Sequence, residues 1–443
     1  MNSPLLLGVD LGTSALKCGV WDTRGRCHGR ARIPYPTRVA GATADQDAGD
    51  IWRILGEGIR DAVAAEAAPR VAGLGVGGHA PSPVFVDGSL EPVARVPTWM
   101  DTRLQTDRAW IDRTLGRAPG SGAERLATHL ASMGRWLMRT DPQRLVSARW
   151  AMHAGDYLAS RLVGRPLATH ASLDEIFVVA ELSPSLRPEL VLPAGTVAGG
   201  LCSGVAAALG LREGLPVIAG GLDAFLGVLG GGITEPGEAS FNLGSSTIAS
   251  LVVRPPTAGR FELGQAPVMS DVLPFGASTL RWLSARLGRS QPLLALVDDA
   301  FARPEALARP EADARLERER LGSHQDVVAM VERALVTDGL DHAAIVRRVV
   351  EGIERTHAQM LLERARSVGP VTRLTCIGGM ARVAALHPRR AALCGVRVEV
   401  PREAAFGTAL GGAMLAAVAT GTLSSYREAA ARMVLVASIY EPA

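Results

Sequence analysis

The opening of the chain combines an apolar run with a tight turn. The run begins at Leu5, is interrupted at Asp10 and at the turn Gly12–Ser14, and resumes as an alternating pattern as far as Asp22. This pattern is typical of a β-hairpin. Residues 238–253 partly repeat it, because an apolar run again precedes a Leu-Gly-Ser-Ser turn and an extended segment. The sequence therefore predicts two hairpins, one in each of two similar lobes.

The rest of the chain alternates between helical and extended patterns. Apolar residues at helical spacing predict a helix over 47–68. The other predicted elements are a strand over 71–88 that breaks at His79, a mainly helical stretch over 132–182 that includes WAMHAGDYLASRLVG, a strand and a helix on either side of Asp223 within 211–239, solvated helices over 291–335, an amphipathic helix over 341–366, a strand over 371–379 and a buried helix over 404–421.

Length, charge and cysteine content limit the class of protein. A chain of 443 residues predicts two lobes of about 200 residues each. A formal net charge of only +3, with few aromatic residues, disfavours a nucleic-acid-binding surface. Five scattered cysteines without CxxC spacing disfavour a disulfide framework and a structural zinc site, so we expect a cytoplasmic protein. We expect no signal peptide and no membrane span, since the stretch over 404–421 is short and rich in glycine and alanine.

The first turn carries candidate phosphate-binding chemistry. Gly12, Thr13 and Ser14 offer backbone N–H groups and two hydroxyls to an anion, and Asp10 could hold a hydrated divalent cation beside them. Lys17 is the only lysine in the chain, and its compact ammonium suits a contact with phosphate. An ordinary hairpin with a lysine placed by chance is the alternative. No GxxxxGK[ST] segment is present, which excludes a P-loop.

Polar residues in other segments are further candidates for binding or catalysis. His79, at a strand end beside glycines, is a candidate ligand or a hydrogen-bonded loop histidine. Trp99, Asp101 and Arg103 could grip a polyhydroxylated molecule or form an exposed salt-bridged loop. Asp223 follows a double glycine, and because an isolated carboxylate is costly to bury, the catalytic interpretation is favoured.

The order of several segments resembles the FGGY carbohydrate kinase family, of the actin-like ATPase superfold, over almost the whole chain. These segments are GVDLGTSALK, GDYLASRLVG, VIAGGLDA, EPGEASFNLGSS and IGGMARVAALHPRRAALCGVRVEVPREAAFGTALGGAMLAA. The resemblance implies an α/β fold with two actin-like (ribonuclease H-like) lobes, each a mixed sheet flanked by helices, and an active-site cleft between them. We place the lobes at 1–216 and 217–443. The implied activity is ATP-dependent phosphorylation of a small sugar or polyol.

The resemblance also implies roles for the candidate residues. Asp223 is expected to be the general base, and Asp10 is expected to bind Mg²⁺ through water. His79, Trp99 and Asp101, with Asp223, are expected at the sugar. The expected ATP-binding residues are Gly12, Thr13, Ser14, Lys17, Gly244, Ser245, Ser246, Gly378, Gly379 and Met380.

Two departures from the family pattern affect the expected function. Met133 stands where the family signature commonly has a lysine, and no LPFxxGER-type stretch follows Trp282. The family favours a pentulose such as xylulose or ribulose as the substrate, with a polyol or a less common sugar as alternatives. There are two competing functions. One is a nucleotide-binding regulator or pseudokinase, and the other is a cytoskeletal or chaperone-like ATPase. A homodimer is the expected assembly.

Overall fold

Both predicted hairpins are present. The computed structural model describes residues 3–117, 119, 122–170, 174–255, 261–263, 266–273, 275–302, 323–336 and 340–442. Strand β1 (Leu5–Leu11) pairs antiparallel with β2 (Ala15–Asp22), and all seven residues of β1 are buried. Strand β12 (Glu238–Leu243) pairs antiparallel with β13 (Thr247–Val252). The alternation of apolar residues around each turn was therefore sufficient to predict these two elements.

The described chain divides into two units whose limits differ from the predicted 1–216 and 217–443. The first unit is Met1–Gly232 with Phe406–Val434, and the second is Ile233–Ala405 with Leu435–Ala443. The first unit extends past residue 216 because β11 (Pro216–Leu222) pairs in parallel with β6 (Val71–Gly78).

The first unit is built on a mixed sheet of six strands in the order β10-β11-β6-β1-β2-β3. Strands β1, β6 and β11 are parallel neighbours, so their carboxyl ends meet at one edge of the sheet. The remaining elements of this unit are β3 (Cys27–Pro34), β4 (Arg38–Ala40), β5 (Thr43–Gln46), β7 (Pro83–Val86), β8 (Val96–Pro97), β9 (Trp150–His153), β10 (Thr196–Gly200), α1 (Ala48–Ala62), α2 (Gln105–Thr114), α3 (Gly122–Thr140), α4 (Pro142–Ser147), α5 (Ala154–Val163), α6 (Asp174–Val179), α7 (Ser203–Leu209), α8 (Asp223–Gly230), α14 (Gly407–Ala419) and α15 (Tyr426–Met433).

The second unit repeats this strand pattern. Its sheet has the order β14-β15-β13-β12-β16-β17-β18, with antiparallel pairing from β15 through β12 and parallel pairing from β12 through β17. The correspondence extends the similarity of the two hairpins to whole sheets. The other elements of this unit are β14 (Phe261–Leu263), β15 (Ala266–Leu273), β16 (Arg373–Ile377), β17 (Val398–Pro401), β18 (Val436–Tyr440), α9 (Ala277–Arg286), α10 (Leu293–Ala302), α11 (His324–Val336), α12 (His342–Val368) and α13 (His387–Cys394).

Helix α14 lies directly against the first unit's sheet, as the prediction of a closely packed buried helix required. A Cβ at Gly8 of β1 would overlap the carbonyl oxygen of Ala409, and a Cβ at Gly75 of β6 would overlap that of Gly412. Glycine at these positions therefore sets the distance between helix and sheet. None of the helices in the described ranges is long and apolar enough to cross a membrane.

Three predicted elements differ from the structure. Helix α1 ends at Ala62 rather than near residue 68, because Val63 is extended. The first four residues of WAMHAGDYLASRLVG form β9, which pairs with β7, so this part is not helical. The predicted solvated helices over 291–335 are α10 and α11 where described, and both bury apolar residues in the second unit's core; residues 303–322 lie outside the described residues.

Candidate active site

Asp10 and Lys17 face each other across the first hairpin. The hairpin register pairs the two residues, and the Lys17 Nζ lies 3.8 Å from an Asp10 carboxylate oxygen. Asp10 is only 4% exposed, and its Oδ1 has no hydrogen-bond partner among the described residues. Desolvation raises the pKa of Asp10, and the Lys17 charge opposes that rise. A hydrated Mg²⁺ would give this orphaned oxygen a partner.

The described residues contain no cluster of three or more His, Cys, Asp or Glu side chains placed to hold a metal ion. Asp10 would therefore supply only part of a Mg²⁺ coordination sphere. This donor set fits an ion that keeps several waters and arrives with phosphate oxygens.

The Gly12–Ser14 turn is held from its carbonyl side. The Tyr35 hydroxyl donates to the Gly12 carbonyl at 2.8 Å, and the Gln46 amide donates to the Thr13 carbonyl at 2.8 Å. The Trp99 indole N–H donates to the Thr13 hydroxyl at 3.1 Å. These contacts give the turn a fixed shape. Trp99 thus lies beside the candidate phosphate turn, with its side chain one-third exposed.

Asp223 is the first residue of α8, immediately after β11. Desolvation and, to a smaller extent, the charge of Asp10 raise the pKa of its carboxyl to about 7, although a hydrogen bond from the Ala224 backbone and the Lys17 charge oppose the shift. The structure thus brings Asp10, Lys17 and Asp223 together at the edge where β1 and β11 end. A carboxyl group with a pKa near neutral pH is suited to exchange protons with a substrate.

His79 follows β6 at the same edge. The side chain is 2% exposed, and burial lowers its pKa to about 4, so the ring is neutral at pH 7. Its Nε2 lies 3.1 Å from the Gln46 Oε1, and its Nδ1 has no hydrogen-bond partner among the described residues. His79 therefore has a hydrogen-bonded side, as one sequence interpretation held, and a second, buried nitrogen whose hydrogen-bonding capacity the described residues leave unused.

Asp101 has a different environment from the one expected of a sugar ligand. Its carboxylate is fully buried and accepts hydrogen bonds from the Ala44 N–H and from the backbone and guanidinium of Arg103. Arg103 also pairs with buried Asp45 at 2.8 Å. The salt-bridged alternative for this loop is present, but it is buried rather than exposed. Because both oxygens of Asp101 accept hydrogen bonds, this geometry favours a role in holding the loop.

The second unit holds the other candidate nucleotide-binding residues. The turn Gly244–Ser246 is fixed by the start of α9, whose Ala277 and Ser278 N–H groups donate to the Gly244 and Ser245 carbonyls. Arg281, on the same helix, places its guanidinium 3.4 Å from the Ser245 hydroxyl. No role for Arg281 was predicted from sequence, although its position on α9 puts a positive charge beside this turn.

The turn at Gly378, Gly379 and Met380 follows β16, and Gly378 has a positive φ of 94°. Gly244 and Met380 line one small cavity, so the second unit brings both of its candidate turns together. His387 lies 2.8 Å from the Ala381 carbonyl through Nε2, and its Nδ1 lies 3.2 Å from Arg390.

Arg390 completes a buried chain of polar contacts behind this turn. It forms a bidentate pair with Glu354 of α12, with both N–O distances at 2.6 Å, and the two side chains are 2% and 4% exposed. Sequence reasoning missed this pair, as it missed Tyr35 and Gln46. An arginine and a glutamate 36 residues apart carry no local sign that they meet.

The sequence matches models of one family in both halves. The model described as the N-terminal domain of the FGGY family of carbohydrate kinases matches residues 5–173, and the model of its C-terminal domain matches residues 332–420.

Individual relatives agree with this match. The chain is 28% identical to a xylulose kinase of Streptomyces rubiginosus, with 94% of this chain and 88% of that protein aligned. It is 23% identical to an L-xylulose/3-keto-L-gulonate kinase of Escherichia coli (strain K12), over 96% and 90% of the two chains. The crystal structure of ligand-bound xylulose kinase from Lactobacillus acidophilus superposes with a TM-score of 0.74 at 14% identity, covering 99% of this chain and 94% of that one. The fold is therefore the two-lobed fold of these kinases.

Proposed function

The chain belongs to the FGGY family of carbohydrate kinases, and on that premise we propose that it transfers the γ-phosphate of ATP to a hydroxyl of a pentulose such as xylulose or ribulose. Relatives named for xylulose, for L-xylulose and 3-keto-L-gulonate, for gluconate and for erythritol align with this chain. Five aligned relatives are named for xylulose or L-xylulose alone, which supports the pentulose.

The placement of Asp223 carries this proposal. In the proposed reaction the Asp223 carboxylate accepts the proton of the substrate hydroxyl while that oxygen attacks the γ-phosphorus. The new O–P bond forms as the bond to the β-phosphate oxygen breaks, and ADP leaves. Lys17 offsets negative charge on the phosphate oxygens, and Asp10 would hold a hydrated Mg²⁺. When bound there, the ion would supply further neutralisation of the phosphate charge.

The remaining candidates take binding roles in this proposal. The Gly12–Ser14 and Gly244–Ser246 turns bind phosphate through backbone N–H groups and hydroxyls. The turn at Gly378, Gly379 and Met380 binds adenosine. His79 binds a substrate hydroxyl, and Trp99 contributes an apolar face beside the Thr13 hydroxyl that it already contacts.

A regulator without sugar turnover is the second candidate function. The departure after Trp282 favours it, because no LPFxxGER-type stretch follows that residue. The Asp10, Lys17 and Asp223 arrangement favours the kinase.

The experiment that separates the two functions is ADP release by the purified protein with ATP and Mg²⁺, across a panel of ketoses, aldoses and polyols. We expect ADP release to depend on one sugar and to be lost in Asp223→Asn. ATP binding without stimulation by any member of the panel would contradict the kinase assignment and support the regulator.

The pH dependence of the reaction follows from the raised pKa of Asp223. Its carboxyl is protonated below pH about 7 and cannot accept the substrate proton there. We therefore expect kcat/KM to fall as the pH drops through about 7 and to level off above it. The profile should be measured between pH 5.5 and 9 at saturating MgATP. A rate that stays constant across this range would show that Asp223 is not the base.

A further inference from the structure

Gln46 connects the candidate phosphate turn to His79. It is the last residue of β5, and its side chain is completely buried. Its amide nitrogen lies 2.8 Å from the Thr13 carbonyl and 2.9 Å from the Thr37 hydroxyl. Its Oε1 lies 3.2 Å from the Tyr35 hydroxyl and 3.1 Å from the His79 Nε2. One buried amide therefore contacts both parts of the first unit's site.

The orientation of this amide is fixed by its partners. A backbone carbonyl can only accept a hydrogen bond, so the group of Gln46 that faces the Thr13 carbonyl must be the N–H₂. The reversed amide would place two carbonyl-type oxygens against each other at 2.8 Å. The Oε1 of Gln46 consequently faces His79 as an acceptor.

This orientation determines where His79 carries its proton. A neutral imidazole has one N–H and one lone pair, and only an N–H can satisfy the Gln46 Oε1. The proton therefore sits on Nε2. The Nδ1 lone pair is left as a buried acceptor without a partner among the described residues. The main chain at His79 is also fixed, because the His79 backbone N–H donates to the Leu11 carbonyl at 2.9 Å.

Resting on the proposed function, we infer that Gln46 is a positioning residue that holds His79 in the Nε2-protonated tautomer, so that Nδ1 accepts a hydrogen bond from a substrate hydroxyl. A ketose carbonyl has no proton to donate and would meet the Nδ1 lone pair unfavourably. The substrate therefore presents a hydroxyl-bearing carbon to His79 and directs its carbonyl elsewhere. The same amide fixes the Thr13 carbonyl, so one side chain orders the phosphate turn and the substrate-binding histidine together.

The tautomer is measured directly by ¹⁵N NMR of the full-length protein labelled at its histidines, with His79→Gln used to assign the resonances. At pH 7 we expect a protonated Nε2 and an unprotonated Nδ1 at His79. Gln46→Met has a similar length but neither donates nor accepts in this way, and should give a mixture of tautomers. An Nδ1-protonated or cationic His79 in the unchanged protein would overturn the inference, as would a tautomer unaffected in Gln46→Met.

Two further variants separate the tautomer from folding and from the shape of the turn. Gln46→Glu keeps an acceptor for the His79 Nε2 but cannot donate to Thr13, so it should retain the Nε2-protonated tautomer. Tyr35→Phe removes the hydroxyl that contacts Gly12 and Gln46 but leaves the amide in place, so it should also retain that tautomer. If Tyr35→Phe lost the Nε2-protonated tautomer of His79, the Tyr35 hydroxyl rather than Gln46 would be the group that determines the tautomer.

The effect on substrate is tested with D-xylulose, L-xylulose and D-ribulose and with analogues in which each hydroxyl other than the phosphorylated one is in turn replaced by fluorine, which cannot donate. We expect Gln46→Met to raise the sugar KM roughly tenfold, as loss of one well-placed hydrogen bond would. One fluorinated analogue should raise KM similarly in the unchanged protein and add little in Gln46→Met. If the effects of the fluorinated analogue and of Gln46→Met on KM were fully additive in free energy, the inference would be contradicted. Absence of turnover with every sugar would remove the proposed function, while the NMR spectrum would still report the tautomer.

Discussion

Asp223→Asn is expected to lower kcat by about 10²- to 10⁴-fold, the usual contribution of a general base. Asparagine has nearly the same volume but cannot accept a proton at neutral pH. It also removes one of two nearby negative charges, because the charge of Asp10 contributes to the raised pKa of Asp223. Affinity for MgATP should therefore be retained or improved. Steady-state ADP release gives kcat, and calorimetric titration gives the nucleotide affinity.

A surface carboxylate provides the matched control for this substitution. Asp50 on α1 is about two-fifths exposed and pairs with Arg53 three residues later. Asp50→Asn makes the same chemical change away from the site and should leave kcat unchanged. Turnover by Asp223→Asn at the rate of the Asp50 variant would rule out the proposed base.

Arg390→Met is expected to lower the free energy of unfolding of the second unit by about 3–5 kcal/mol. The substitution leaves the Glu354 carboxylate buried without its bidentate partner, and it removes the contact to the His387 ring. Because His387 contacts the Ala381 carbonyl, weaker nucleotide binding should accompany the loss of stability. Urea unfolding with and without ADP measures both effects.

Two comparisons make the Arg390 prediction specific. A double variant, Glu354→Leu with Arg390→Met, removes both charges and should be more stable than Arg390→Met alone. Arg286 pairs with Glu332 in a similar bidentate geometry, but both side chains are about two-fifths exposed, so Arg286→Met should have a much smaller effect. Equal losses in the Arg390 and Arg286 variants would show that burial does not control the energy of the pair.

Local patterns predicted the elements that carry chemistry better than they predicted contacts. The Asp10 hairpin and the strand-to-helix junction at Asp223 follow from apolar runs that end at turns and glycines. The strand Trp150–His153 was misassigned because its short apolar run precedes a helix without a turn signal, and pairing with β7 decides its structure. Gln46 was missed for a related reason, since its importance comes from contacts with Thr13 and His79, 33 residues away in each direction along the chain.

Asp101 shows that residue type alone leaves a role open. An acid next to an arginine and a tryptophan fits sugar binding equally well in sequence. In the structure the Asp101 carboxylate accepts hydrogen bonds from the Ala44 N–H and the Arg103 side chain. The hydrogen-bond partners of a carboxylate depend on the folded structure and cannot be predicted from its neighbours in sequence.

The position of α14 has a consequence for how the chain is made. Its residues, Gly407–Ala419, leave the ribosome after almost all of the second unit, yet they cover the face of β1 and β6 at Gly8 and Gly75. Strands β1 and β6 are therefore synthesised well before α14, and one side of these central strands stays uncovered until α14 has been made. The yield of folded protein therefore depends on the speed of translation through the intervening 170 or so residues. It also depends on chaperones that shield this face during that time.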